Sequence, residues 1–201
     1  MLNANDKKIT FKKSLFIDYE LRSDAYEMAR NFLVVGIQHG TGGVLATFSL
    51  LPNSILNWLG LTRDATNAMA CHGALFETGY ELQDYIIRLY QFLFVKDGRK
   101  RTPVTFLIVM TLHHFAGFFI VIPLNMKYRD SKVFHELILM LQLAACLSLI
   151  LQNYGYILNV ESKGGLFRMQ IVSVLNLISL TWSRVVRYSV LSFYLISHSL
   201  N

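Results

Sequence analysis

Five stretches of this chain, residues 31–51, 68–94, 103–124, 132–158 and 166–199, are long and apolar enough that each must be buried along most of its length. A membrane-spanning helix needs about 20 predominantly apolar residues, and every stretch reaches that. A soluble core fails on composition: 53% of the 201 residues are hydrophobic and only 16% are charged, whereas soluble domains are about one-quarter charged. Strands of a membrane barrel would be about ten residues long and strictly alternating, and these stretches are neither. The expected fold class is all-α, a polytopic helical membrane bundle of about five transmembrane helices. Residues 1–30 are expected to form a basic N-terminal arm and interfacial helix, and residues 31–201 one transmembrane helical domain. The second, fourth and fifth stretches exceed the minimum and must tilt or project into water.

Two of the stretches carry groups that lipid rejects. The second holds Glu77, Glu81, Asp84 and Arg88. At about 100° per residue this spacing confines all four to roughly 60° of helix circumference. The third holds Thr111-Leu112-His113-His114-Phe115 near its midpoint. An ionisable group at membrane depth costs on the order of 3 kcal/mol on insertion scales, so such groups face the protein interior. The sequence thus predicts a polar seam inside the bundle, with Glu81, Asp84, His113 and His114 at similar depth.

Three chemistries fit that seam. The acids are candidates for general acids, metal ligands or partners of arginine, and Arg88 stands four residues beyond Asp84, a natural helical ion pair. Three acids against Arg88, Arg184 and Arg187 is also the balance of a purely structural salt-bridge network. A neutral histidine can act as general base, with a neighbouring carboxylate fixing its tautomer; two hydrogen-bonded core histidines are the plainer alternative. Adjacent histidines diverge by about 100°, so at most one points straight at the stripe. His113, His114, His135 and Glu136 together with the stripe would suffice for a di-metal site. The repeated histidine boxes of membrane hydroxylases and desaturases are absent, however, and no metal or cofactor is expected. No glycine-rich phosphate loop or Ser-His-Asp order is present. Gln142, Gln152 and Asn153 in the fourth stretch are placed to line the same cavity.

Net charge is +6, and its distribution matters more than its size. With the N-terminus and the 95–102 and 159–165 loops on one side, that side carries twelve basic residues against four on the other, Arg63, Lys127, Arg129 and Lys132. By the positive-inside rule the N-terminus faces the cytoplasm or its organellar equivalent, with the C-terminus opposite. The basic residues therefore set orientation rather than grip nucleic-acid phosphates. Cys71 and Cys146 both fall inside predicted spans and read as small buried hydrophobes, not a disulfide framework. The N-terminal region lacks the apolar core of a signal peptide, and Asp6, Asp18, Glu20, Asp24 and Glu27 argue against a transit peptide. The first span is expected to serve as its own targeting signal.

The connections are legible from turn chemistry. Gly36, Gly40, Gly42 and Gly43 predict either close helix approach or a bend in the first span. Pro52-Asn53-Ser54 ends it, and 55–61 reads as a short interfacial helix with Trp58 at headgroup level. Asp97-Gly98 marks a turn, Pro103 a helix start, Pro123-Leu124-Asn125 the close of the third span, and 161–165 a flexible loop. The last stretch runs 34 residues without Pro or Gly. Its Arg184 and Arg187 either line the bundle or snorkel to the far interface.

These pieces resemble the TLC-domain family, which includes the ceramide synthases and smaller lipid-handling relatives. The resemblance spans roughly residues 28–196. It rests on Arg30-Asn31 with His39, on Gly79-Tyr80-Glu81-Leu82-Gln83-Asp84, on Leu112-His113-His114, and on Trp182-Ser183-Arg184-Val185-Val186-Arg187. It implies helices around a lipid-accessible cavity and, in the ceramide synthases, acyl transfer from acyl-CoA to a sphingoid amine. The catalytic residues so implied are His113, His114 and Asp84. Glu77, Tyr80, Glu81, Arg88, Gln142, Arg184 and Arg187 would form the lipid-binding seam. Ceramide synthases follow the histidine pair with His-Asp and a further acid three residues on; here His135-Glu136 comes earlier and Leu139 stands in the acid's place. Smaller relatives carry a mid-span glutamate where this chain has Gln142, and the family has six or more spans. The chain is therefore either a protein that binds or processes a lipid in an intramembrane polar cavity, or a non-catalytic structural subunit of a larger membrane complex on the same scaffold. Expected partners are membrane lipids, acyl-CoA under the enzymatic reading, and membrane protein subunits under the other, with no nucleic acid. The implied location is the endoplasmic reticulum or another organellar membrane, with the mitochondrial inner membrane as the alternative.

Overall fold

The computed structural model describes residues 9–10, 20–21 and 23–199. Apart from a two-residue antiparallel pairing of Ile9–Thr10 with Glu20–Leu21, the regular structure is helical. The helices are α1 (Ser23–Leu50), α2 (Asn53–Trp58), α3 (Arg63–Phe94), α4 (Gly98–Arg101), α5 (Val104–Lys127), α6 (Lys132–Tyr156) and α7 (Lys163–Leu180). A π-helical stretch, Thr181–Arg187, leads into α8 (Tyr188–Ser199). Among the described residues four segments are long and apolar enough to cross a membrane: Phe32–Leu50, Val104–Lys127, Lys132–Gly155 and Lys163–Ser197. With 32 residues α3 is long enough as well, about 48 Å, but its second half carries the four ionisable residues of the seam.

Large apolar side chains point outward along these helices, Leu112, Leu177 and Phe193 among them. A soluble monomer rarely leaves contiguous apolar patches above a few hundred Å² in water, whereas lipid covers them without cost. Length, composition and this apolar exterior are those of an integral membrane protein.

The structure refines several boundaries. α1 is one unbroken helix of 28 residues, so the segment expected at the membrane surface and the first span are continuous from Ser23. Of the arm and interfacial segment expected over 1–30, only residues 9–10, 20–21 and 23–30 lie within the described residues. Pro123 does not close the third span: it sits inside α5, which continues to Lys127. A proline this close to the C-terminus forfeits one helical bond only, and membrane helices tolerate that loss. The 161–165 loop is shorter than expected, because Ser162 caps α7 by accepting from the Gly165 N–H at 3.0 Å and both glycines enter the first turn. The final stretch is not a plain α-helix; its two arginines fall in the π-helical turn.

The chain forms two compact units. One comprises residues 41–139 and 194–201, the other 1–40 and 140–193.

In the first unit, Thr62 caps α3 by accepting from the Ala65 N–H at 3.2 Å. α1 and α3 approach closely at Gly73 of α3, where a Cβ would lie 2.9 Å from the Gly42 carbonyl oxygen. The turn between α5 and α6 is tied to α3 by polar contacts. Asn67 Nδ2 donates to Asp130 Oδ1 at 3.1 Å, Asn125 Nδ2 to the Cys71 carbonyl at 3.4 Å, and Cys71 Sγ to the Arg129 carbonyl at 3.5 Å. His135, fully buried, holds the same carbonyl through Nε2 at 2.7 Å. In the second unit, Gly36 lies against Leu149 and Gly40 against Cys146. Both cysteines are free thiols.

Arg63 secures the corner between α1 and α3. Its Nη1 donates to the Ser49 carbonyl at 2.6 Å and its Nη2 to the Leu51 carbonyl at 2.9 Å; Nη2 also meets Asn53 Oδ1. Helix C-termini leave carbonyls without intrahelical partners, and one guanidinium serves this end of α1. Arg63→Ala is expected to lower stability by roughly 2 kcal/mol, the usual worth of hydrogen bonds to a charged group. Arg63→Lys should recover only part of that, since an ammonium cannot reproduce the fork. Thermal unfolding in detergent checks both, and equal stability of all three proteins would refute the capping role.

Candidate functional site

α3 and α5, both in the 41–139 unit, are packed against each other, and their contact brings the acidic stripe to the histidine pair. The i, i+4, i+7 spacing sets Glu77, Glu81 and Asp84 along one face of α3, while His114 on α5 turns inward. His114 is 7% exposed and lies between two carboxylates. Its Nδ1 is 3.9 Å from Glu81 Oε1 and its Nε2 3.6 Å from Asp84 Oδ2. Both separations exceed ordinary hydrogen-bond length. Asp84 Oδ2 also accepts from Arg88 Nε at 2.6 Å. His113 diverges as the helical geometry demands: its side chain is 61% exposed, yet its Nε2 lies 3.7 Å from Glu81 Oε1. The two imidazole rings are 5.6 Å apart, nearly edge to face.

A continuous polar chain results, Arg88–Asp84–His114–Glu81–His113, in which Asp84 Oδ2 and Glu81 Oε1 each serve two partners. Aromatic side chains frame it. The Arg88 guanidinium sits 5.2 Å from the Phe106 ring centroid, and Tyr85 meets Phe115 edge to face at 5.5 Å. Arg88 is thus held by one charge and one ring, both from within this helix pair. Glu77 lies one turn before Glu81 and is half-buried, as is Tyr80.

Gly117 belongs to the site although its sequence context gives no sign of chemistry. A Cβ there would come within 2.5 Å of Glu81 Oε2, so any larger residue would push the Glu81 carboxylate away from its present seat against α5. The available signal is its position three residues beyond His114, on nearly the same helical face. Phe106 was detectable only through tertiary contact.

The remaining candidates lie in the other unit. Gln142, buried in α6, accepts at Oε1 from His39 Nδ1 at 3.1 Å. Arg184 donates through Nη2 to the Leu141 carbonyl at 3.0 Å, in the middle of α6, which is the inward-lining alternative and not the snorkelling one. Ser183 Oγ bonds the Ser179 carbonyl at 2.7 Å within the π-helical turn. Arg187 is half-buried in the same turn.

The donor set determines what the α3–α5 site can do. Two carboxylates face one guanidinium and two imidazoles, so the groups for accepting, donating and relaying a proton are adjacent. Among the described residues no three His, Cys, Asp or Glu side chains are grouped so as to hold a metal ion, and His135 is engaged with the Arg129 carbonyl. Comparison with known proteins finds no matching family model, no matching curated protein and no matching solved structure.

Proposed function

We propose that this protein is a TLC-like integral membrane protein that binds or processes a lipid or acyl chain at the α3–α5 polar site. The observation that carries the reading is His114: a buried imidazole at mid-span with a carboxylate facing each ring nitrogen, neither contact yet at hydrogen-bond length. Catalytic hydrogen bonds are commonly long in the unliganded state and tighten around substrate. In this reading His114 takes a proton from an amine or hydroxyl as it attacks an acyl thioester carbonyl and returns it to the thiolate that leaves as the C–S bond breaks. Asp84 holds the ring in the required tautomer, and Arg88 keeps Asp84 in place. His113, its side chain 61% exposed, lies at the side open to the surroundings of α5, where a headgroup or thioester would enter, with the Glu81 side chain, 13% exposed, behind it.

The exposure of His113 also favours a second reading. A half-exposed imidazole at membrane depth is unfavourable beside lipid tails, and a polar group from a neighbouring subunit would satisfy it. The chain would then be a structural subunit of a larger complex, its polar chain serving to hold α3 to α5. Mass spectrometry after mild detergent extraction separates the two. Stoichiometric lipid with the isolated chain supports the first, and stoichiometric protein subunits without bound lipid would refute it.

The proposed topology has five spans, with α3 as the fifth member beside the four apolar helices, and the N-terminus on the cytoplasm-like side of an organellar membrane. Single cysteines introduced at Asn3 and Asn201, in a background without Cys71 and Cys146, should label from opposite sides with an impermeant reagent. Labelling of both from one side would require an even number of spans.

A further inference from the structure

The short connection between α3 and α5 concentrates positive charge at one end of an apolar helix. Lys96, Arg99, Lys100 and Arg101 fall within six residues, with Asp97 the one acid among them. Val104, where α5 begins its apolar run, follows Arg101 by three residues, at most about 11 Å of extended chain. The connection is also fixed in shape. Asp97 takes a left-handed conformation with φ 60°, the Gly98 N–H donates to the Val95 carbonyl at 2.9 Å and the Thr102 N–H to the Gly98 carbonyl at 2.8 Å. Thr102 is buried. The Arg99 guanidinium lies 5.3 Å from the Phe92 ring centroid; Lys96 and Arg99 are exposed, and so is Phe94, at 72%.

From this arrangement we infer that the 95–102 turn is a docking surface for anionic lipid headgroups of the bilayer in which the protein sits. Basic residues next to a span gain favourable energy from an anionic leaflet, and that field decays within a Debye length, about 8–10 Å. The turn lies within that range because α5 starts immediately after it. The fixed backbone of the turn holds exposed Lys96 and Arg99 close together, without the ordering cost that a loose tail would incur. Phe94 adds apolar contact at the same level. A polynucleotide would have to displace the lipid phosphates already at this depth, so the bilayer is the favoured occupant.

The test uses the full chain reconstituted into phosphatidylcholine vesicles doped with spin-labelled phosphatidylserine or spin-labelled phosphatidylcholine. The wild-type protein should prefer the anionic probe, and the preference should weaken as salt rises. Changing Lys96, Arg99, Lys100 and Arg101 together to Gln should cut it roughly tenfold. Since four lost charges could invert the protein during insertion, the pair Lys96→Gln and Lys100→Gln, which keeps both arginines, should give a smaller loss in the same direction. Arg99→Lys, which keeps the charge, should retain most of the preference. An unchanged preference in the quadruple and double variants overturns the proposal, as does a wild-type protein with no preference. Displacement of the anionic probe by a single-stranded oligonucleotide would overturn it in favour of nucleic acid.

Discussion

His114→Ala and Asp84→Asn are each expected to reduce lipid processing or retention by roughly tenfold or more while the protein still accumulates in the membrane. His114 is the only buried member of the histidine pair and is within 4 Å of both Glu81 and Asp84. Alanine removes the one imidazole that both carboxylates face and leaves α3 and α5 their apolar contacts. The structural cost should stay near 1–3 kcal/mol, the range for disturbing one buried polar group. Asparagine at Asp84 preserves shape and one acceptor oxygen but removes the charge that Arg88 and His114 share. Lipid content measured on membranes from cells making each variant, normalised to protein level, reads the outcome directly. If both variants behave normally towards lipid, or if deleting the protein changes no lipid, the lipid reading fails. A structural subunit would instead show unchanged lipid and lost assembly.

The parts of the site visible in sequence were those with a one-dimensional period. The 3.6-residue repeat puts Glu77, Glu81, Asp84 and Arg88 on one face, and the Arg88–Asp84 contact at 2.6 Å is a consequence of that spacing alone. The divergence of adjacent helical residues predicted that at most one histidine points straight at the stripe, and His114 is the buried one, although exposed His113 also lies 3.7 Å from Glu81. The period could not choose which, because that depends on where α3 lies relative to α5. Gly117 illustrates the same limit: its role comes from the approach of a carboxylate on another helix, and nothing local to α5 marks it. The positions of Arg184 and Gln142 were likewise settled by tertiary contact, with the Leu141 carbonyl and with His39.

At the level of the fold, hydrophobic length located four helices long and apolar enough to cross a membrane, the stretch 68–94 forming a helix outside that set, and turn residues located most connections. The departures came where a local signal met a tertiary or membrane constraint. Pro123 reads as a terminator, yet the loss of one backbone bond is tolerated near a helix end. The last stretch has no Pro or Gly to forecast a π-helical turn at Thr181–Arg187. Such turns shift side-chain register within a helix, and here the shifted segment contains both arginines.

Arg88→Leu is expected to lower thermal stability in detergent by roughly 2 kcal/mol, below the range of about 3–5 kcal/mol for a fully buried pair because the Arg88 side chain is 31% exposed. The loss is large because it leaves Asp84, whose side chain is 20% exposed, with only the longer 3.6 Å approach of His114, and because the Phe106 ring loses the cation above it. Lys96→Leu, at an exposed turn position, should change stability little by comparison. The informative variant combines Arg88→Leu with Asp84→Leu. If the single loss arises chiefly from an unpaired carboxylate, removing that carboxylate as well should return part of the stability, so the two changes together cost less than their sum. Arg88→Lys keeps the charge but not the Nε contact or the planar stacking, and should fall between wild type and Arg88→Leu. Strict additivity in the double variant, or equal modest losses for Arg88→Leu and Lys96→Leu, would show that the Arg88–Asp84 pair is solvated. The polar chain would then begin at Asp84 and not at the guanidinium.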